Sequence, residues 1–304
     1  MVANSAPVLG TTHSRARADD AACICAATAL EKTSAHGYLG LCGGIEPLAA
    51  IVSILVAVAY GVPLIVQRLT PLIPRSFDWH LGAMADNQVR VIFGARICIN
   101  AEGNAAFSKL VDTVRQASHL DILLQTEVLA SPVPNAFALP GGKIYLLDGL
   151  LQKAENPDEL AGVLAHEMGH ISHRDHTRMM IQHGGVSFLI GLLFGDITGS
   201  TAVIFATRTL FETFYSREAE QGADDFAIQA MHTLGRSPAP MGDLLFRITG
   251  AQGSNTIGIL ASHPLTEDRR DLMRHEDRSA TGPQLLSNVE WQALKTICHS
   301  TSAK

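Results

Sequence analysis

The residues best suited to chemistry lie at 159–170, Glu-Leu-Ala-Gly-Val-Leu-Ala-His-Glu-Met-Gly-His. On an α-helix, positions i and i+4 share a face, so His166 and His170 can aim two imidazoles at one ion. Glu167 is offset by about 100° around the helix. It sits beside that ion, where a base can take a proton from water. The plain alternative is two histidines sharing a helix surface next to an acid, and the motif alone leaves that open.

A catalytic zinc takes three protein ligands and keeps one position open, so a third ligand is needed. His176 stands where the pattern His-Glu-x-x-His-x-x-Gly-x-x-His would put it, but that pattern needs a glycine where this chain has His173. His173 favours a continuing helix, which would carry His176 to another face. The second candidate is at 216–224, Ser-Arg-Glu-Ala-Glu-Gln-Gly-Ala-Asp. Glu220 and Asp224 are again i and i+4. Glu220 can bind the ion while Asp224 holds a ligating imidazole from behind, fixing its tautomer. The alternative is a solvated acidic face, to which Glu218 and Asp225 belong. His173, His176 and His183 are expected as helix-surface or supporting residues.

Elements must position these groups. Asn156-Pro157-Asp158-Glu159 reads as an N-cap, a proline at the first helical position and acids over the positive end of the dipole. Residues 104–119 form an amphipathic helix with Phe107, Leu110, Val111 and Val114 on one face. Short strands are expected at 89–93 and 121–129, and a pair of strands about the Pro140-Gly141-Gly142 turn. Apolar runs at 186–194 and 202–211 suggest a helical hairpin, its second arm running on to residue 234 as one long helix. Shorter helices follow. The last opens on Ser287 and Glu290, a capping box.

The net charge of −6 comes with scattered basic residues, which excludes a nucleic-acid footprint. Apolar content of 47% against 17% charged residues suggests that part of the chain lives in lipid. Between Glu46 and Arg68 there is no charge, a run close to the ~20 residues that cross a bilayer. A buried core helix is the alternative, but Gly61 and Pro63 are better tolerated in lipid. The expected organisation is a poorly ordered extension over 1–44, a transmembrane helix over 45–67, a linker over 68–76 and a catalytic domain over 77–304. The apolar run starts too far in to be a secretory signal. Arg15, Arg17 and Lys32 before it nearly balance Arg68, Arg75 and Arg90 after it, so the positive-inside rule gives no orientation. Five cysteines at irregular spacing are no disulfide framework. Cys98 and Cys298, near opposite ends of the domain, are expected to pair if it faces an oxidising compartment.

Four motifs recur in order: Asn135-Ala136-Phe137-Ala138 with Pro140-Gly141-Gly142; His166-Glu167-Met168-Gly169-His170; Ser216-Arg217-x-x-Glu220-x-x-Ala223-Asp224; and Ser262-His263-Pro264 with Arg269. Over residues 77–277 this combination resembles the M48 peptidases, membrane-associated zinc proteases of the gluzincin type. The resemblance implies an α+β zincin-like fold, mostly helical, with a small sheet over two long helices. It implies one Zn2+ per chain between His166, His170 and Glu220, with Glu167 as general base, Asp224 bracing His166 and Arg269 pairing with an acid. His263 is implied as a catalytic group that stabilises the oxyanion or fills the open zinc position at rest; capping the following helix is its alternative. A strand over 143–147 is implied as a sheet edge to which a peptide adds, with Lys143, Ile144 and Tyr145 lining it. Asn135 and Ala136 either contact substrate or shape the turn. The implied function is a membrane-anchored zinc endopeptidase of protein quality control, hydrolysing peptide bonds by Glu-assisted attack of water at zinc. Its partners are a protein or peptide substrate and membrane lipid. The expected location is a bacterial inner membrane, single-pass by the apolar run over 45–67, with the catalytic domain leaning to the periplasm on the expected Cys98–Cys298 pair. A chaperone-like adaptor that binds unfolded segments without cutting is the competing reading; a structural zinc module closed by His263 is the third.

Overall fold

The computed structural model describes residues 45–56, 60–94, 96–193, 215–250, 263 and 267–299. Among the described residues three strands make one sheet: β1 (Gln125–Leu129), β2 (Ala136–Leu139) and β3 (Lys143–Leu147). Their order is β1-β3-β2, with β3 parallel to β1 and antiparallel to β2. Gly141 and Gly142, at φ 86° and 95°, make the turn between β2 and β3, a conformation glycine adopts without strain. The strand over 143–147 is therefore central. This corrects the expectation that it is an edge, and with it the assignment of Lys143, Ile144 and Tyr145 as an open substrate strand. Pairing with β1 on one side and β2 on the other uses both of its hydrogen-bonding edges. Among the described residues the edge beside the site is β2.

The strands alternate with period two. Ala136, Ala138, Ile144 and Leu146 face one core, while Phe137, Leu139, Tyr145 and Leu147 face another. The first core contains α4 (Ala101–Ala117), α5 (Asp148–Lys153), α6 (Pro157–His173) and α8 (Arg217–Thr233). It also takes in α9 (Ala239–Gly250), α10 (Glu267–His275) and α11 (Asn288–Lys295). The second packs α3 (Arg75–Phe93) on the sheet together with Met179 and Met180 of α7 (Asp175–Leu193). Helix α4 buries Phe107, Leu110, Val111 and Val114 as its periodicity predicts, and Asn100 caps it by accepting the Gly103 N–H at 2.7 Å.

Other expectations change. Residues 89–93 are the end of α3 and not a strand. Leu81, Ala85 and Val89 are buried four residues apart, and this helical stripe outweighs the β-preference of the Val-Arg-Val-Ile-Phe run. Helix α8 begins at Arg217, because Ser216 is extended and accepts the Ala219 N–H as an N-cap. Residues 68–76 hold the end of α2 (Val62–Leu69), a 3-10 turn (Thr70–Leu72) and the start of α3. The apolar stretch 45–67 is described as α1 (Ile45–Val56) and α2, with 57–59 outside the described residues. Among the described residues no helix is long and apolar enough to cross a membrane. The hairpin expected over 186–211 lies largely outside the described residues, as do residues 1–44. The expected Cys98–Cys298 disulfide is present, with Cα atoms 4.7 Å apart.

Candidate metal centre

Helix α6 is pinned at its start. Asn156 Oδ1 accepts the Glu159 N–H at 3.1 Å, Glu159 Oε2 accepts Arg247 at 2.7 Å, and Asp158 pairs with Arg236. From Glu159 to Ile171 every residue is buried. A side chain at Gly169 would stand 2.9 Å from Ala223 Cα and 3.2 Å from Phe226 Cβ. Only glycine lets α6 and α8 approach this closely, and the approach brings Glu220 alongside the two histidines.

His166 Nε2 and His170 Nε2 are 3.2 Å apart. Glu220 Oε2 lies 3.6 Å from the first and Glu220 Oε1 lies 3.5 Å from the second. Ligand atoms on a tetrahedron with bonds of about 2.0–2.1 Å are roughly 3.4 Å apart, so the spacing suits a single zinc. His263 joins them, with Nδ1 2.8 Å from Glu220 Oε1 and 3.3 Å from His166 Nε2. Donor atoms of these four buried residues all lie within 4.8 Å of one another. Each α6 histidine is held from behind: His166 Nδ1 is 3.0 Å from Asp224 Oδ1, and His170 Nδ1 hydrogen-bonds Asp175 Oδ2 at 2.9 Å. Arg269 donates to Asp224 at 2.6 and 2.8 Å and pairs with Glu220 Oε2 at 2.6 Å.

Glu167 is fixed by β2. Its Oε2 accepts the Ala138 N–H at 2.9 Å, while its buried Oε1 has no hydrogen-bond partner and lies 3.5 Å from His263 Nε2. Burial raises the Glu167 carboxyl above its ordinary range, against the pull of His170 and His166. Burial would also raise Glu220, but His263, His170 and His166 overcome it and hold that carboxyl far below the usual carboxylate range. For His170 burial is likewise outweighed: Asp175 and Glu220 push the imidazole up to about 9. His166 and His263 go the other way, lowered by burial. Tyr215 stacks on the rings of His170 (4.3 Å) and His263 (5.0 Å), its phenol raised by burial and the nearby carboxylates.

The family description Peptidase family M48 matches residues 104–277, more than half of the chain. The chain belongs to peptidase family M48. Its relatives include the mitochondrial metalloendopeptidase OMA1 of Schizosaccharomyces pombe, 29% identical over 49% of this chain and 45% of that protein. The β-barrel assembly-enhancing protease of Escherichia coli is 28% identical over 61% of this chain and 41% of its own. Protease HtpX of Pseudomonas entomophila is 27% identical over 54% and 70%. This chain spans less than half the length of the first two.

M48 metallopeptidases use zinc, and the donor set here fits it: imidazoles with carboxylates behind them and a buried anionic Glu220 facing them. The structure brings together His166, Glu167, His170, Glu220, Asp224, His263 and Arg269, all anticipated in the sequence. Asn135 is buried beside β2 with Oδ1 unpartnered, and Ala136 is buried in it. Lys143 instead pairs with Asp86 (2.7 Å) and Glu127 (3.0 Å), and the Tyr145 hydroxyl bonds Asp86, away from the donor set. His176 is buried beside His170 but outside the donor set. The helix does not continue past His173: Arg174 is left-handed at φ 59° and starts a new direction. Asp175, Tyr215 and the Ala138 amide were missed. Asp175 carries a signal only once the break at Arg174 is known.

Proposed function

We propose that this M48 chain is a membrane-anchored zinc endopeptidase of protein quality control, with His166, His170 and Glu220 holding the metal and Glu167 acting as general base. The observation that carries the reading is the pairing of a tetrahedrally spaced buried donor set with a carboxylate, Glu167, whose Oε1 has no hydrogen-bond partner. When bound, zinc supplies Lewis-acid polarisation of a scissile carbonyl and lowers the pKa of nearby water. Glu167, steadied by Ala138, accepts the proton at Oε1 and returns it to the departing amine. Asp224 and Asp175 keep the histidine Nδ1 atoms engaged so that Nε2 faces the metal.

The substrate adds to the outer side of β2. Leu147 N–H donates to Asn135 O, so alternate residues pair inward and Ala136 and Ala138 turn their backbone groups away from β3. A peptide strand laid there would run past Glu167, which already takes the Ala138 N–H; all four β2 residues are buried, so the strand enters only as that side opens to it, with Asn135 Oδ1 as a further acceptor. Anchoring is supported by exposed apolar side chains on α1 and α2, including Leu48, Leu55, Leu64 and Ile65. Relatives named a mitochondrial metalloendopeptidase and a β-barrel assembly-enhancing protease support a role in quality control.

One observation favours a second reading. His263 supplies a fourth donor, and a site closed by four protein donors is that of a structural zinc. Zinc content measured together with casein cleavage decides between them. The proposal expects about one zinc per chain and cleavage lost with chelator. Zinc without any cleavage supports the closed site, and an absence of zinc overturns both.

A further inference from the structure

Arg174 occupies the single left-handed position between α6 and α7, at φ 59° and ψ 32°. A non-glycine residue there is strained, and such strain persists where the surroundings over-determine it. Here they do. The Arg174 guanidinium donates to both oxygens of Asp78, at 2.9 and 2.7 Å, and to the carbonyls of Thr70 and Ile73, at 2.7 and 2.8 Å. Thr177 Oγ1 adds a bond to Asp78 at 3.0 Å. Asp78 and Thr70 are themselves buried. One side chain thus grips the whole of residues 70–78, the segment that follows the apolar helices.

The next residue in the chain, Asp175, turns the other way and holds His170 Nδ1 at 2.9 Å. Its second oxygen is steadied by Arg178 at 3.2 Å. Arg174 and Asp175 share a peptide bond, and the Arg174 carbonyl accepts the Arg178 N–H at 2.9 Å. If residues 70–78 lose their seat, the joint that aims Asp175 at His170 loses its anchor.

We propose that Arg174 is a positioning residue coupling the seat of residues 70–78 to the orientation of His170, and through it to the affinity of the metal centre. The inference rests on the metal-site reading above. It makes the segment behind the apolar helices a place from which zinc occupancy can be set.

The test uses the full chain in detergent. Zinc dissociation constants are read by competition with a fluorescent chelator, and thermal midpoints on zinc-free protein. Arg174→Gly removes the guanidinium while relieving the left-handed backbone. Asp78→Asn weakens the grip from the other side and serves where Arg174→Gly does not fold. Arg236→Met removes the ion pair to Asp158 at the far end of α6. Loosened support of a ligand weakens metal binding by about tenfold or more. Arg174→Gly and Asp78→Asn should each show about that loss, the double variant no more than either, and Arg236→Met a changed midpoint with zinc affinity intact. Wild-type zinc affinity in Arg174→Gly and Asp78→Asn, or an equal loss in Arg236→Met, overturns the coupling. His170→Ala separates the two levels. If it binds zinc as well as wild type, the metal centre itself fails; if it alone loses zinc, only the coupling fails.

Discussion

At the residue scale, the centre depends on what stands behind each ligand. Asp224 and Asp175 each engage the Nδ1 of one α6 histidine, leaving both Nε2 atoms pointed inward 3.2 Å apart. Replacing either aspartate with asparagine removes the charge and leaves the shape. Zinc affinity is expected to fall about 10–100-fold in each variant, measured by chelator competition; unchanged affinity in both would show that the carboxylates only fill space. The residues of the centre were mostly legible because their spacing is local, as with His166 to His170 and Glu220 to Asp224. Asp175 was not, because the pattern of residues 170–176 reads as continuing helix. The left-handed turn at Arg174 depends on Asp78, Thr70 and Ile73, about a hundred residues away in sequence.

Among the elements, α6 is fixed at both ends and β2 is the strand that meets it. The strands about the Gly141-Gly142 turn could be read from residue types, whereas their order in the sheet could not. The return of β1 alongside β3, which with Asp86 of α3 gathers the half-buried Lys143 and the buried Tyr145 around Glu127 and Asp86, is a long-range pairing. The final helix was legible down to its cap. Lys109 and the Ser287 backbone N–H, at 2.7 Å each, bring Glu290 down to about 2. A carboxyl depressed on folding contributes stability above its unfolded value of about 4.3, and that contribution is lost as pH falls towards 2. Glu290→Gln, which can keep the box, should therefore melt below wild type at pH 7. The difference should hold down to about pH 5 and close as pH approaches 2. A gap independent of pH would assign the effect to packing.

Across the whole molecule, the Cys98–Cys298 bond joins positions 200 residues apart, tying the entry to α4 to the end of the domain. Loss of the bond in Cys298→Ser is expected to cost about 2–5 kcal/mol of unfolding free energy, read from denaturant melts of oxidised protein. Thiol labelling without reductant should leave both cysteines unmodified. Two labelled thiols at these positions would mean the bond does not form. The sequence separation that makes the bond effective also made it readable only as a hypothesis about compartment. The chemistry turns on Glu167 being the base and not a ligand. The direct measurement is casein cleavage and zinc content of Glu167→Gln beside wild type. Equal zinc is expected in both, with a loss of cleavage of about 10²–10⁴-fold in the variant. Zinc retained with full cleavage would contradict that role for Glu167.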